Sequence, residues 1–149
     1  MTERSITERA EFLSRRRARM LPFLAVIFLS QQATYFSTPD RSPHSADHVK
    51  IAAWLVLSAV LVAAMATKGF WLQPKEIRDL IDDENTRANR LDAMRWGFLF
   101  TMAAGVAVYF LTMFEPISAR EAVHVTTSAG IVSALVRWGV LEKRAHRDG

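Results

Sequence analysis

Four long stretches of this chain are nearly free of charge: Met20–Phe36, Ile51–Leu72, Trp96–Phe114 and Ala122–Leu141. They span 17, 22, 19 and 20 residues, and of the chain's 19 basic and 15 acidic side chains only Lys68 and Arg137 fall inside them. A helix at the surface of a water-soluble protein keeps one polar face; these runs do not. At about 1.5 Å per residue, each reaches or nearly reaches across a ~30 Å hydrocarbon layer, the first being the shortest. The pattern predicts an all-α fold: a polytopic membrane protein with four transmembrane helices in an antiparallel bundle. One membrane domain covers residues 1–149, with a basic tail over 1–19, spans at about 20–36, 51–72, 96–114 and 122–141, and a helical connection over 73–95. The longest polar stretch, 73–95, is too short to bury a core of its own, so no second domain is expected.

Composition sharpens this picture. Half of the residues are hydrophobic, yet the mean hydropathy is only +0.08, as expected when apolar and charged residues are segregated. Soluble enzymes, disulfide scaffolds and disordered tails are disfavoured. With no cysteine, thiol redox chemistry, cysteine-ligated metal and disulfides are excluded. The net charge of +4 and pI near 10.0 have a cause other than nucleic acid, for which no direct role is expected: the basic residues are divided by side. Arg4, Arg9, Arg15, Arg16, Arg17 and Arg19 precede the first run, Lys75, Arg78, Arg87, Arg90 and Arg95 lie between the second and third, and Lys143, Arg144 and Arg147 follow the fourth. The other two connections hold only Arg41, Lys50 and Arg120. The positive-inside rule then puts both termini and the middle connection in the cytoplasm of a bacterial inner membrane. Ser30-Gln-Gln-Ala33 lacks a small-x-small cleavage pattern, so the first run is expected to be retained as a span.

Local signals set the element boundaries. Ser5 and Glu8 have capping-box spacing, and Ile6, Ala10, Phe12 and Leu13 opposite Arg9 and Arg16 suit an interfacial helix leading into the first span; a solvated tail is the rival reading. Ser45 or Asp47 can cap the second helix. After it, Ile77, Leu80 and Ile81 predict a short surface helix near 75–81. A long helix from about Asp83 to Phe114 should follow and project about 18 Å into the cytoplasm. Glu115-Pro116 ends it, and Ser118-Ala-Arg-Glu121 is a second capping box. Gly97, Thr101 and Gly105 recur every four residues, as do Ala122, Thr126, Gly130 and Ala134. Small residues at that interval let membrane helices approach closely. The very short connection makes helices three and four antiparallel neighbours, so their small faces are expected to meet; a homodimer through one such face is the alternative.

Candidate chemistry is sparse. No acid lies within a run, which weighs against proton-coupled export. Lys68 and Arg137 are near the inner ends of their runs and are expected to snorkel to headgroups. Gln31, Gln32, His124 and Thr127 lie toward the outer side and could form a polar patch or the mouth of a path. The plainer reading is a satisfied helix-end histidine beside hydroxyls bonded to their own backbone. His44 and His48 with Asp40 and Asp47 make a poor metal site, since a defined shell of three or more ligands is wanted. Nucleophile elbows, phosphate loops, dinucleotide glycine patterns and zinc-protease motifs are missing, so no catalytic residue, metal or cofactor is assigned and a non-enzymatic role is expected.

Asp82-Asp-Glu-Asn-Thr-Arg-Ala-Asn-Arg90 is the most distinctive segment, dense in both signs of charge; it reads as a solvated helix entry or as a docking face built on Asp83, Glu84, Arg87 and Arg90. Asp83-Glu-Asn-Thr-Arg87 leading into an apolar helix resembles the acidic-Thr-Arg segment of small uncharacterised four-helix bacterial inner-membrane proteins. The resemblance implies partnership with a helix-turn-helix regulator and brings no catalytic residues. The expectation is an integral membrane protein that recruits or sequesters a cytoplasmic regulator through its cytosolic helix. A small oligomeric channel or transporter and an accessory subunit of a larger membrane complex are the alternatives. Membrane lipids, a cytoplasmic protein and a homo-oligomer or larger complex are the partners in view.

Overall fold

The computed structural model describes residues 3–36, 45–67 and 84–148 of the chain. All four elements in them are helices: α1 (Glu3–Phe36), α2 (Ser45–Ala66), α3 (Glu84–Leu111) and α4 (Ala119–Asp148). The expected loop at 37–44, the surface helix near 75–81, Lys68 and Asp83 lie outside the described residues, as do the side chains of Ser5, Ser45 and Asp47.

Among the described residues two helices are long and apolar enough to cross a membrane, α2 over His48–Ala66 and α3 over Glu84–Leu111, with mean hydropathies of 2.2 and 1.4. The apolar stretches of α1 and α4 carry more polar side chains of their own, Ser30, Gln31 and Gln32 in α1 and His124, Thr126, Thr127, Ser128 and Arg137 in α4. The junction before the first run differs from expectation. α1 has no break between its basic part and its apolar part, so Glu3–Arg19 continues the axis of the apolar part and is not a separate helix leading into it. Pro22 lies inside it, where the missing N–H removes one intrahelical bond. α3 stops short of Phe114. Thr112 N–H still bonds to Val108, but Met113 and Phe114 donate to residues three back, tightening the end before Pro116. α4 runs seven residues past the fourth apolar stretch.

α4 is the central helix. It packs along α3 and α1 and more lightly against α2. Leu21, Ala25 and Phe28 of α1, Trp54, Leu61 and Met65 of α2, Ala93 of α3 and Ile131, Ala134, Leu135 and Trp138 of α4 form one buried cluster. Around it the outward faces are apolar too: Phe23, Val26 and Ile27 on α1, and Phe98, Met102, Val106, Tyr109 and Phe110 on α3, are all exposed.

The α3–α4 seam is where the four-residue intervals meet. A Cβ added to Gly97 would lie 2.8 Å from the Ala134 Cβ and 3.0 Å from the Gly130 carbonyl oxygen, and one added to Gly130 would collide with the Thr101 hydroxyl. Gly105 is looser, with the Thr126 methyl 3.9 Å away. Thr101 and Thr126 spend their hydroxyls on the carbonyls of Gly97 and Ala122, four residues back. On the other side of α4, Gly139 admits the ring of Pro22, whose Cδ would be 2.8 Å from an added Cβ. α1 and α3 thus both lie close against α4, and the starts of α1 and α3 share one end of the bundle with the end of α4.

Candidate functional site

At that end a buried ionic cluster joins three helices. Arg17 is the one arginine of the 15–17 triplet turned inward; Arg15 and Arg16 are exposed, and Arg15 pairs with Glu11 one turn back. The Arg17 guanidinium donates to Glu142 Oε2 at 2.7 Å and to the Thr86 hydroxyl at 3.1 Å. Trp138 Nε1 donates to the other Glu142 oxygen at 3.1 Å, and its ring lies 5.5 Å from the guanidinium carbon. Glu142 is 2% exposed and Arg17 9%. Both carboxylate oxygens are therefore engaged, which is the condition under which two buried charges are tolerated.

This cluster revises the expected docking face. Thr86, Arg90, Ala93 and Gly97 form the buried face of α3, and Arg90 is only 8% exposed. Arg90 is thus part of the packing and not of an open surface, because its position on the helix shares the face that Thr86 and Gly97 turn toward α1 and α4. Glu84 and Arg87 are exposed. Arg137 departs from expectation as well. Its Nε donates to Asp92 at 2.7 Å and its guanidinium lies 5.4 Å from the centre of the Trp96 ring. It is tied sideways to α3, since Asp92 and Trp96 present an acid and an aromatic face at its own height.

At the opposite end the expected polar patch is partly assembled. His124, 2% exposed, places Nδ1 3.3 Å from Gln32 Oε1. The Trp54 ring stacks on the imidazole at 3.9 Å between centroids and 27° between planes. Two cavities adjoin this pair. One, about 270 Å³, lies between α1, α2 and α4 and is lined by Gln31, Gln32, Val49, Lys50, Ala53, Trp54 and His124. The other, about 720 Å³ and strongly apolar, runs along α4 from His124 and Ser128 to Val140, flanked by Leu29, Trp96 and Phe100. Gln32 and His124 belong to both walls. Thr127 is half-buried and lines neither. Several buried polar atoms here have no hydrogen-bond partner among the described residues: Gln31 Oε1, Trp54 Nε1, Ser58 Oγ and Ser128 Oγ. Ser128 therefore differs from Thr126, whose hydroxyl is bonded to its own backbone.

The turn that closes this end holds the second capping box. Ser118 N–H and its hydroxyl both donate to Glu121 Oε2, at 2.8 and 2.7 Å, while Glu121 N–H donates back to the Ser118 hydroxyl at 3.2 Å. These hydrogen bonds from Ser118 hold the Glu121 carboxyl below its ordinary range.

Sequence reading did not anticipate Arg17, Thr86, Trp138 and Glu142 as a cluster, nor Trp54 beside His124. The usable signal was height: Arg17 stands three residues before the first apolar run and Glu142 one residue after the fourth, so antiparallel helices bring them level. Among the described residues no group of three or more His, Cys, Asp or Glu side chains is placed to hold a metal. No protein-family model, curated protein or solved structure matches the chain.

Proposed function

We propose that this chain is a four-span inner-membrane protein, both termini cytoplasmic, that works by binding a soluble partner at its charged end. Large exposed apolar side chains on α1 and α3 support lipid on those faces, because soluble monomers rarely expose continuous apolar surface on this scale. Among the described residues, Arg9, Arg15, Arg16 and Arg19 of α1, Arg87 and Arg90 of α3 and Lys143, Arg144 and Arg147 of α4 belong to the end of the bundle where Arg17 meets Glu142, which supports that end as the cytoplasmic one.

One observation carries the docking reading. The Arg17–Glu142–Thr86 cluster clamps the first turns of α3 against α1 and α4, while Glu84 and Arg87 on the same turns remain exposed. A charged face held on a rigid element suits recognition by charge complementarity, which governs encounter rate and specificity. The partner is a cytoplasmic regulator, recruited or sequestered at the membrane. The test is in-cell crosslinking from position 88, followed by co-purification with the wild type and with an Arg87→Glu, Glu84→Lys variant. Loss of a reproducible partner with membrane insertion intact supports the face; retention of every partner removes it.

A second reading is an oligomeric channel or transporter. It is favoured by the Gln32–His124 pair standing between two cavities. Flux of solutes or ions from liposomes reconstituted with the protein would support it, and an absence of flux would count against it. Crosslinks to integral membrane proteins alone would point instead to an accessory subunit of a larger complex.

A further inference from the structure

The 270 Å³ cavity between α1, α2 and α4 is a different site from the docking face, at the other end of the bundle. Its walls are mostly apolar, with a few convergent polar groups, as in small-molecule sites generally. Two of its lining residues carry buried polar atoms with no hydrogen-bond partner among the described residues, Trp54 Nε1 and Gln31 Oε1. Trp54 is 5% exposed, and its indole is locked in place by stacking on His124. An orphaned polar group costs free energy wherever water is excluded, and most of all within a bilayer. The geometry of these groups indicates what would satisfy them. The indole nitrogen is a donor only. A carboxamide can turn over to present its NH₂ in place of its oxygen, so Gln31 can also donate. Lys50, which has contacts of its own, brings positive charge to the wall, and among the described residues no carboxylate lines it. The complementary occupant is an anionic acceptor with a short apolar body to lie against Val49 and Ala53.

We propose that this cavity binds a carboxylic acid, its carboxylate accepting hydrogen bonds from the Trp54 indole and the Gln31 amide beside the Lys50 ammonium. At ~30 Å³ per water, the cavity has the room of about nine waters, which suits an acid of a few carbons. A fatty acid offers the same head group, but its tail must pass the Gln32–His124 pair into the neighbouring 720 Å³ slot.

The experiment is calorimetric titration of the full chain in neutral phosphatidylcholine nanodiscs, with butyrate in one arm and palmitate in the other at constant ionic strength. Saturable binding of butyrate identifies a free small acid as the ligand; saturable binding of palmitate alone identifies a lipid-derived one, and either supports the site. A charge-assisted hydrogen bond is worth about 1.5–3 kcal/mol, so Lys50→Gln, Gln31→Leu and Trp54→Phe should each weaken binding by about tenfold or more. Thr127→Ala, outside the cavity, should leave it unchanged. If Trp54→Phe fails to fold, the Lys50 and Gln31 variants decide. No saturable heat with either acid, or wild-type affinity in both Lys50→Gln and Gln31→Leu, overturns the proposal. Neither result touches the docking face at Glu84 and Arg87, whose own test uses residues at the other end of the bundle.

Discussion

Glu142 shows how much depends on a single side chain's surroundings. It holds Arg17 and Trp138 with its two oxygens and is almost fully enclosed. Replacing it with alanine strands a buried guanidinium, and breaking such a pair from one side costs about 3–5 kcal/mol. Glu142→Gln keeps an acceptor for Trp138 and should cost less. The double change Arg17→Met, Glu142→Leu removes both charges and should recover most of the loss, since apolar replacement of a buried pair is often neutral. Asp92–Arg137 has the same 2.7 Å separation, but its side chains are 38% and 35% exposed, so Asp92→Ala should cost no more than about 1 kcal/mol. Denaturant unfolding in detergent, followed by circular dichroism, ranks these variants. Equal losses for Glu142→Ala and Asp92→Ala would show that burial at the cluster is not what matters.

Between helices, the deciding quantity is the room left for a Cβ. Gly130→Ala drives a methyl into the Thr101 hydroxyl and Gly139→Ala drives one into the Pro22 ring, so each should destabilise by about 1–3 kcal/mol as overpacking does. Gly105→Ala meets only an ordinary contact and gains helix propensity, so it should be neutral or stabilising by about 0.5–1 kcal/mol. Melting of the three variants side by side tests the seam; a destabilised Gly105→Ala would mean that α3 and α4 lie closer there. At the start of α4, the lowered carboxyl of Glu121 has a definite sign. A carboxylate favoured by the fold stabilises above its unfolded-state pKa, and that contribution disappears as pH falls through the lower folded-state value. Amide protection at Ser118 and Glu121 should therefore survive mild acid and fail only below the ordinary carboxylate range. In Glu121→Gln it should not depend on pH over that interval, as hydrogen exchange would show. Both features could be read without a structure because each is local: a capping box is four consecutive residues, and a small-residue face is a property of one helix whose nearest neighbour is imposed by a short turn. The burial of Arg90 is not of that kind. Which face of α3 turns inward depends on α1, and α1 meets α3 through Arg17 and Thr86, 69 residues apart in the chain. Separation along the chain also hid Arg17 from Glu142, 125 residues away, and Trp54 from His124, because pattern gives heights along helices and not the rotation of one helix against another.

The whole molecule has one property that no single helix displays: the Arg17–Glu142 cluster and the Gln32–His124 pair with its apolar cavities occupy opposite ends. Apolar runs and basic-residue counts made that polarity readable in outline, whereas among the described residues only α2 and α3 contain a stretch long and apolar enough to cross a membrane. The difference lies in the polar residues within the apolar stretches themselves, Ser30, Gln31 and Gln32 in α1 and His124, Thr126, Thr127, Ser128 and Arg137 in α4; α3 carries a charged extension of its own and still qualifies. If all four cross, the direction of each is tied to its neighbours, because Arg17 stands beside Glu142 and Gln32 beside His124. The absence of cysteine makes this testable without background. Single cysteines at the exposed positions Glu8, Ala88, Ala119 and Ala145 report the start of α1, the start of α3, the α3–α4 turn and the end of α4. With a membrane-impermeant maleimide on intact spheroplasts, the Ala119→Cys variant should label and the other three should label only after the membrane is opened. Labelling of Glu8→Cys together with Ala119→Cys from outside would mean that α1 does not cross as α4 does. It would also set the Arg17–Glu142 cluster against the membrane assignment, since those residues cannot share one end of a bundle and lie on two sides of a bilayer. Labelling at the other three positions but not at 119 would keep four spans and reverse them, placing the Glu84–Arg87 face outside and ending the case for a cytoplasmic partner.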